Sequence, residues 1–596
     1  MANDTLPRMF WSRVETSGSL PAQMVRRGGQ WRILDWSAVG EIVRELAQGL
    51  LALGRQRGET VALLSTSRAE WVQADLAILS VACVTVPIYA TYTPELITHI
   101  VNDSEAMTLI VENPTQLEKA WETMGMMKGL ERIIVIEGYE GRDPSVLTWE
   151  QLRQLGRNNS ERLQGILAER VASVCLEDIA TIVYTSGTTG RPKGVIQTHG
   201  NHLAALDATV QVTAVKPGDV HLLFLPLAHA FARLESFMGV HAGLTTAFAE
   251  SPGKVAQNLR EVRPHFFCSV PRFFEKIHAA MLAGVEARSP LKKRIFYWAL
   301  GVGRAMSRLQ QARQAIPPTL RLKHRIAHRL VFAKLHQALG GRLRFAVSGG
   351  APLSREIAEF FHAAGVLILE GYGLTETCPV LTFNRIDQFK FGSVGRALPG
   401  IELRIAPDGE VLARGPNIAT LGYLKQPDAT TEVFKPDGWF HTGDIGRLDE
   451  EGFLYITDRK KDLIVTSTGS NIAPQKIENL LRSDPFISQV MVYGDRRPYP
   501  VALISVDPEE LAKLARAHGI TVADYTELTR HPKAVERVAR VVQTMNAALL
   551  PHEEIRRFAV VPVEFTETCG ELTPTQKVKR AVVAGQYREL IESLYR

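Results

Sequence analysis

From about residue 40 to residue 400, short continuous apolar runs alternate with stretches whose apolar side chains recur every three or four positions. The runs read TVALLS, MTLIVE, RIIVIEG, IATIVYTS, HLLFLPL, FFCSVP, RFAVSGG and VLILEGYG. Apolar runs of this length predict strands buried on both faces of largely parallel sheets, and the segments between them predict the covering helices. Near 395–457 the texture changes. The turn formers Pro407-Asp408-Gly409, Pro436-Asp437-Gly438 and Glu451-Gly452 separate short runs there, which predicts a small antiparallel β subdomain. After the charged stretch Asp458-Arg459-Lys460-Lys461-Asp462 a new mixed segment begins. The expected fold class is α/β, with a large N-terminal domain of layered, mostly parallel sheets over 1–458. A small α+β C-terminal domain over 459–596 follows.

One stretch stands apart. From Ala287 to Arg355 there is no Asp or Glu, while Arg and Lys recur throughout. Ile295, Trp298, Val302, Met306 and Leu309 fall at helical spacing, Pro317-Pro318 breaks the chain, and Leu322, Ile326, Leu330 and Leu335 begin a second helical pattern. The pattern predicts a basic helical insert over about 284–342. Two readings stay open for it: a solvated face over a buried stripe, or contact with anionic lipid headgroups. Nucleic acid is not expected as a partner, because no recognition fold or aromatic platform accompanies the charge.

Composition narrows the class. The chain has 596 residues, 45% hydrophobic and 22% charged, with a net charge of +6, as expected of a soluble chain of two or more domains. The longest apolar run, near Leu76–Pro87, is too short to span a bilayer. The five cysteines are scattered and include no CxxC pair, which argues against a zinc site or a disulfide framework and for a reducing compartment. The N-terminal MANDTLPRMFW lacks a charged-then-apolar signal pattern. A cytoplasmic protein is expected, with peripheral contact at the inner membrane face as the alternative setting. Oligomerisation stays open.

The chemistry begins at Tyr184–Val195, YTSGTTGRPKGV. It resembles a phosphate loop but departs from G-x-x-x-x-G-K-[ST], since Lys193 follows a proline and precedes Gly194. The loop leaves a strand end, where α/β folds place ligands. Its glycines allow close approach of backbone to phosphate, Ser186, Thr188 and Thr189 add hydroxyl donors, and Lys193 adds a point charge. Later blocks follow in order: SGGAPLS at Ser348–Ser354, GYGLTETCPV at Gly371–Val380, GWFHTGDIG at Gly438–Gly446, DRKKDLIVTSTGSNIAPQKIE at Asp458–Glu478 and GELTPTQKVKR at Gly570–Arg580. GYGLTE opens like a dinucleotide fingerprint, yet Glu376 stands where the third glycine should be. No G-x-S-x-G, HExxH or Cys/His pairing is present, so serine-acyl and metal-hydrolase mechanisms lack a candidate nucleophile.

Over nearly its whole length the chain resembles the adenylate-forming superfamily of acyl-CoA synthetases, adenylation domains and luciferases. The resemblance implies ATP and coenzyme A as co-substrates and Mg²⁺ as cofactor. It implies a nucleotide site of Thr185, Ser186, Gly187, Thr188, Thr189, Gly190 and Lys193 around the phosphates, and of Gly349, Gly350, Ala351, Gly371, Tyr372 and Gly373 around the adenine. Asp444 and Arg459 would hold the ribose. Thr375 would bond the α-phosphate and Glu376 would hold the metal, a hard cation that prefers oxygen ligands. Lys577 falls at the family's catalytic lysine, with Lys579 and Arg580 as rivals, although Gln576 stands where many relatives have glycine. His229 would lie near the substrate carboxylate, the alternative being a packed core histidine. The C-terminal domain would be mobile, with Lys461 at its hinge and Gly469 lining the approach of the thiol. LPLAHAFARLE, SVPRFFEKI, the helical insert and ELTPTQKVKR resemble bacterial long-chain fatty acyl-CoA synthetases. The implied activity is ligation of a long-chain fatty acid to CoA with release of AMP and pyrophosphate. A fatty acyl-AMP ligase serving a carrier protein, a medium-chain or aryl acid CoA ligase, and a lipid-binding pseudoenzyme are the alternatives.

Overall fold

The computed structural model describes residues 5–185, 191–467, 470–521, 524–567, 569–573 and 576–596. The first large sheet has seven strands, in the order Val146–Thr148, Arg132–Val135, Thr108–Val111, Thr60–Leu64, Val84–Ile88, Ile179–Thr185 and Lys193–Thr198. Neighbours run parallel except for the final antiparallel pair. A second sheet of nine strands carries Ile368–Tyr372, Phe345–Ser348, Phe266–Ser269, Val220–Leu223 and Thr245–Phe248 side by side and parallel. The apolar runs thus became strands, and their burial on both faces accounts for their lack of polar alternation.

The helices Ala69–Ser80, His199–Val212 and Ala230–Ala242 share one core with residues of both sheets. Ala69–Ser80 is buried along its whole length. Because no side of it meets water, it carries little amphipathic pattern. Two of these elements are tied to a strand by a buried ion pair. The Arg233 guanidinium donates to both Asp75 oxygens at 2.9 Å and to the Thr181 hydroxyl at 2.8 Å. Fully desolvated charges persist only when paired and hydrogen-bonded in this way.

Glu402–Ile405, Glu410–Arg414, Phe440–Leu448 and Leu454–Arg459 form a four-stranded antiparallel sheet, turned at the Pro407-Asp408-Gly409 and Glu451-Gly452 positions. The last strand ends at Arg459, and the chain turns through Lys461 and Asp462. Beyond it, Ile487–Tyr493, Val501–Val506 and Arg557–Val560 form a three-stranded sheet. The helices Pro474–Arg482 and Pro532–Asn546 pack on this sheet with a hydrophobic cluster of their own. Arg482 meets both oxygens of Glu275 at 3.3 Å, and Arg272 approaches Asp507 at 3.6 Å. These pairs join the C-terminal segment to the helix Pro271–Glu286.

The basic insert is helical, but its faces differ from expectation. In Pro290–Gln311 the buried positions are Phe296, Ala299, Leu300, Val302, Gly303 and Ser307, whereas Trp298 is exposed. A Cβ on Gly303 would stand 2.1 Å from the Ala363 carbonyl oxygen. The helix therefore closes on its neighbour through its smallest residue. In the second segment Leu335 is buried, but Leu322, Ile326 and Leu330 are 57%, 46% and 57% exposed, so the expected buried stripe is an exposed ridge. Among the described residues, no helix is long and apolar enough to cross a membrane.

Candidate active site

The C-terminal ends of the strands Ile179–Thr185, Phe345–Ser348 and Ile368–Tyr372 open onto one cavity of about 1250 Å³. Parallel strands present their ligands at this edge, where the loops diverge. Thr185 and Lys193 line it and face each other across the antiparallel pair. The phosphate-loop residues Ser186, Gly187, Thr188, Thr189 and Gly190 lie outside the described residues, as does Gly469. The Lys193 ammonium sits 5.3 Å from the centre of the Tyr423 ring, a cation–π placement that holds the charge beside the cavity.

Gly349, Gly350, Ala351, Gly371, Tyr372, Gly373, Thr375 and Glu376 line the same cavity. The Thr375–Thr377 turn is fixed from outside: Gln197 donates to the Thr375 carbonyl at 2.6 Å, and the Ala419 N–H donates to the Glu376 carbonyl at 2.8 Å. With its backbone held, Glu376 uses Oε1 to accept from the Tyr423 hydroxyl at 2.7 Å. Among the described residues no group of three or more His, Cys, Asp or Glu is arranged around a metal. A lone anchored carboxylate suits a cation whose remaining ligands come from phosphates and water.

Asp444 is buried in the strand Phe440–Leu448 and is satisfied from two sides. The Tyr372 hydroxyl donates to Oδ2 at 2.7 Å, and Nε of Arg459, on the paired strand, approaches Oδ1 at 3.1 Å. Burial works against the Arg459 charge, but Asp444 and Glu376 outweigh it and raise its pKa. Tyr372 therefore presents its ring with the hydroxyl already engaged.

His229 is half-buried and precedes the helix Ala230–Ala242 as its N-cap. The Phe231 N–H donates to His229 Nδ1 at 3.2 Å, which leaves the proton of the neutral ring on Nε2. Burial, with the nearby Lys577 charge, pushes this histidine down to about 4, so the ring is neutral at physiological pH. It lines the cavity and caps the helix, and it is half-buried, not packed within the core.

Lys577 comes from the far end of the chain into the same cavity as His229, Asp444 and Arg459. Water still reaches it through the open side of the cavity. Surrounding protein, then the Arg459 charge, push its amine down to about 8, against a smaller opposing pull from Asp444. Its two rivals differ. The Arg580 side chain is spent on Glu478 at 2.6 Å and on the Val492 carbonyl at 3.1 Å. Lys579 lines the cavity with its backbone N–H bonded to the Glu571 carbonyl. Gln576, where a glycine was the expectation in many relatives, has φ of +62°. The turn that aims Lys577 thus uses a left-handed conformation without glycine, and the Gln576 amide is held by Glu567. Lys461 is exposed, with Glu432 4.0 Å away.

Three contributors escaped the sequence. Tyr423 anchors Glu376 and underlies Lys193, Gln197 holds the Thr375 backbone, and Glu370 lines the cavity with a carboxyl that burial pushes up to about 8. Tyr423 and Gln197 are far in sequence from the groups they hold, so spacing carries no trace of them. The LEGYG run hides Glu370 within an apolar strand pattern.

Comparison with known proteins agrees with this arrangement. Residues 10–424 match the model of the family described as AMP-binding enzyme, and residues 461–596 match the AMP-binding enzyme C-terminal domain. The chain is 39% identical over 571 residues to the long-chain-fatty-acid–CoA ligase FadD15 of Mycobacterium bovis, covering 95% of this chain and 93% of that one. It is 33% identical over 595 residues to the peroxisomal long chain acyl-CoA synthetase 6 of Arabidopsis thaliana, covering 95% and 82%. Among solved structures, the adenylation domain of a carboxylate reductase from Mycobacterium chelonae aligns with a TM-score of 0.77 at 21% identity, covering 100% and 92%. A fatty acyl CoA synthetase of Mycobacterium tuberculosis aligns at 0.60 and 21%, covering 98% and 99%. The structural likenesses establish the fold. The family matches and the conserved length of the relatives carry membership: this chain belongs to the AMP-binding, adenylate-forming enzymes.

Proposed function

We propose that the chain is an ATP-dependent ligase joining a long-chain fatty acid to coenzyme A. The observation that carries the reading is the meeting of Lys577 with His229, Asp444 and Arg459 in one cavity, combined with relatives named for this activity along nearly the whole chain. In the first step the fatty acid carboxylate oxygen attacks the α-phosphorus of ATP and pyrophosphate leaves. No protein nucleophile is needed; the protein's work is to align the reactants and stabilise the charge that spreads during transfer. Lys577 supplies a cation, the neutral His229 supplies an Nε2 donor toward the carboxylate, and Tyr372, Asp444 and Arg459 fix the nucleoside. Mg²⁺ on Glu376 and the phosphates would neutralise charge on the departing pyrophosphate. In the second step the CoA sulfur attacks the acyl carbonyl and AMP leaves with the bonding pair. The C-terminal segment moves about Lys461 between the two, withdrawing Lys577. Fatty-acid-dependent exchange of labelled pyrophosphate into ATP tests the first step, and consumption of free CoA tests the second. Exchange without CoA consumption would favour a carrier protein as acceptor; no exchange with any acid would overturn the reading.

A membrane surface is part of the same reading. Leu322, Ile326 and Leu330 recur every four residues on an exposed helical ridge, flanked by Arg321, Lys323, Arg325 and Arg329. An apolar ridge with a cationic border suits the boundary between headgroups and acyl chains. Vesicles rich in anionic phosphatidylserine should retain the protein at low salt and release it as salt rises. Retention that is absent, or indifferent to salt, would discard this docking.

A further inference from the structure

Lys193 and Glu376 reach the cavity from different sheets. Lys193 opens Lys193–Thr198, the edge strand of the seven-stranded sheet, and Glu376 lies in the turn after Ile368–Tyr372 of the nine-stranded one. A third segment joins them. Gly422–Leu424 lies antiparallel along the edge strand, with Tyr423 bridged to Val195. The Ile196 N–H donates to the Gly422 carbonyl at 3.0 Å, and the Leu424 N–H donates to the Gly194 carbonyl at 2.8 Å. An edge strand has unpaired groups of this kind to offer. Gly422 turns the chain at φ +76°, where glycine carries no Cβ penalty. The Tyr423 N–H then donates to the hydroxyl of Thr430, in the helix Pro427–Val433, at 3.0 Å. The backbone around Tyr423 is thus held by a strand on one side and a helix on the other.

The side chain so placed meets a charge of each sign. Its ring has the Lys193 ammonium 5.3 Å from the centre, and its hydroxyl donates to Glu376 Oε1 at 2.7 Å. Burial, and then the Glu376 charge, raise the pKa of the phenol, so it stays a donor. Among the described residues, Lys193 and Glu376 form no ion pair with one another. Opposite charges free to close up in a partly buried site attract strongly, and a closed pair would leave neither group for a ligand. A single aromatic residue instead engages both.

Resting on the ATP-binding part of the reading above, we propose that Tyr423 is a positioning residue that keeps Lys193 and Glu376 apart, the ammonium for the phosphates and the carboxylate for the metal. The two parts of the side chain have separate tasks. The hydroxyl occupies Oε1 of Glu376 and leaves Oε2 for the cation. The ring holds the Lys193 charge beside the cavity through its π face. Groups that hydrogen-bond a metal-ligating carboxylate set the affinity of the site, although they never touch the ion.

The test removes the two parts one at a time. Tyr423→Phe keeps the ring and loses the hydroxyl, and Tyr423→Leu loses both. The probes are the non-hydrolysable α,β-methylene analogue of ATP, titrated by calorimetry, and Mn²⁺ in place of Mg²⁺, read by electron paramagnetic resonance. In Tyr423→Phe the dissociation constant of Mn²⁺ from the analogue complex should rise roughly tenfold, while the metal-free analogue binds as to wild type. In Tyr423→Leu the metal-free analogue should also bind about threefold more weakly. Pyrophosphate exchange should show the same split, with excess Mg²⁺ recovering most of the rate in Tyr423→Phe but not in Tyr423→Leu. An unchanged Mn²⁺ constant in Tyr423→Phe overturns the proposal, as does equal metal-free binding by the two variants. Should Tyr423→Leu fail to fold, Tyr423→Phe decides alone through its Mn²⁺ constant. The binding measurements contain no fatty acid. The expected split in binding, together with a wild type that exchanges no pyrophosphate with any acid, would therefore support this assignment and strike the ligase reading.

Discussion

In the proposed mechanism a single lysine supplies the transition-state charge, and its surroundings set when it works. Lys577 is pushed down to about 8 by the surrounding protein and by Arg459, so it carries its charge below that pH and loses it above. A transition-state cation is useful only when charged. The kcat/KM of adenylation should therefore fall as pH rises through about 8 in the free enzyme, and the profile should show no matching loss down toward the low value of His229. Lys577→Ala should lower the adenylation rate by roughly 10²–10³-fold, by analogy with removing one preorganised donor, while leaving the unfolding midpoint nearly unchanged. Near-normal adenylate formation by that variant would remove the lysine from the mechanism. The preceding residue bears on the same point. Gln576 at φ +62° occupies a conformation that costs a non-glycine residue about 1–2 kcal/mol. The sequence showed that a glycine was absent, but only the backbone shows that the left-handed turn persists without it.

The scale of elements divides what could be read from what could not. Strands buried on both faces announce themselves as apolar runs, because a polar group on either side must find a partner, and each of the quoted runs contains a strand. Helix faces were harder. In Pro290–Gln311 the reading followed the large side chains Ile295, Trp298 and Val302; Val302 is buried, but the closest contact is made around Phe296, Ala299 and Gly303. Close packing rewards a missing Cβ as much as a bulky apolar group, and a count of hydrophobic residues is blind to it. The site was legible where it was contiguous, as in GYGLTE, and silent where Tyr423 and Gln197 reach in from distant segments. The segment after Arg459 carries its own prediction. Lys461 sits in an exposed turn, with Glu432 4.0 Å away as its ion-pair partner, so its side chain contributes little to stability. A proline there restricts backbone rotation. Lys461→Pro should keep adenylation within a few-fold and depress thioester formation by tenfold or more, measured as separate half-reactions. Equal loss of both would count against a hinge.

At the scale of the whole molecule, charged pairs join the helix Pro271–Glu286 to the C-terminal segment. The Arg482–Glu275 and Arg272–Asp507 pairs are partly buried and join segments more than 200 residues apart. Losing such a pair costs on the order of 1 kcal/mol, enough to shift a balanced two-state equilibrium several-fold. Glu275→Gln should weaken the arrangement that brings Lys577 to the cavity. Adenylation should then slow by a few-fold, with thioester formation unchanged or faster, as read by quenched-flow of each half-reaction. Equal rates in wild type and variant would show that this contact does not bias the arrangement.

One cavity gathers the proposed nucleotide-binding side chains and the C-terminal lysine. In the proposed mechanism the lysine, while in place, would cover one side of the acyl group. On that mechanism the chemically fragile mixed anhydride would meet water chiefly at the cavity's open side until the tail of the chain steps aside. The enzyme's resistance to wasting ATP in the absence of thiol would then reside in the tail's position, and loosening the tail should show itself as idle hydrolysis.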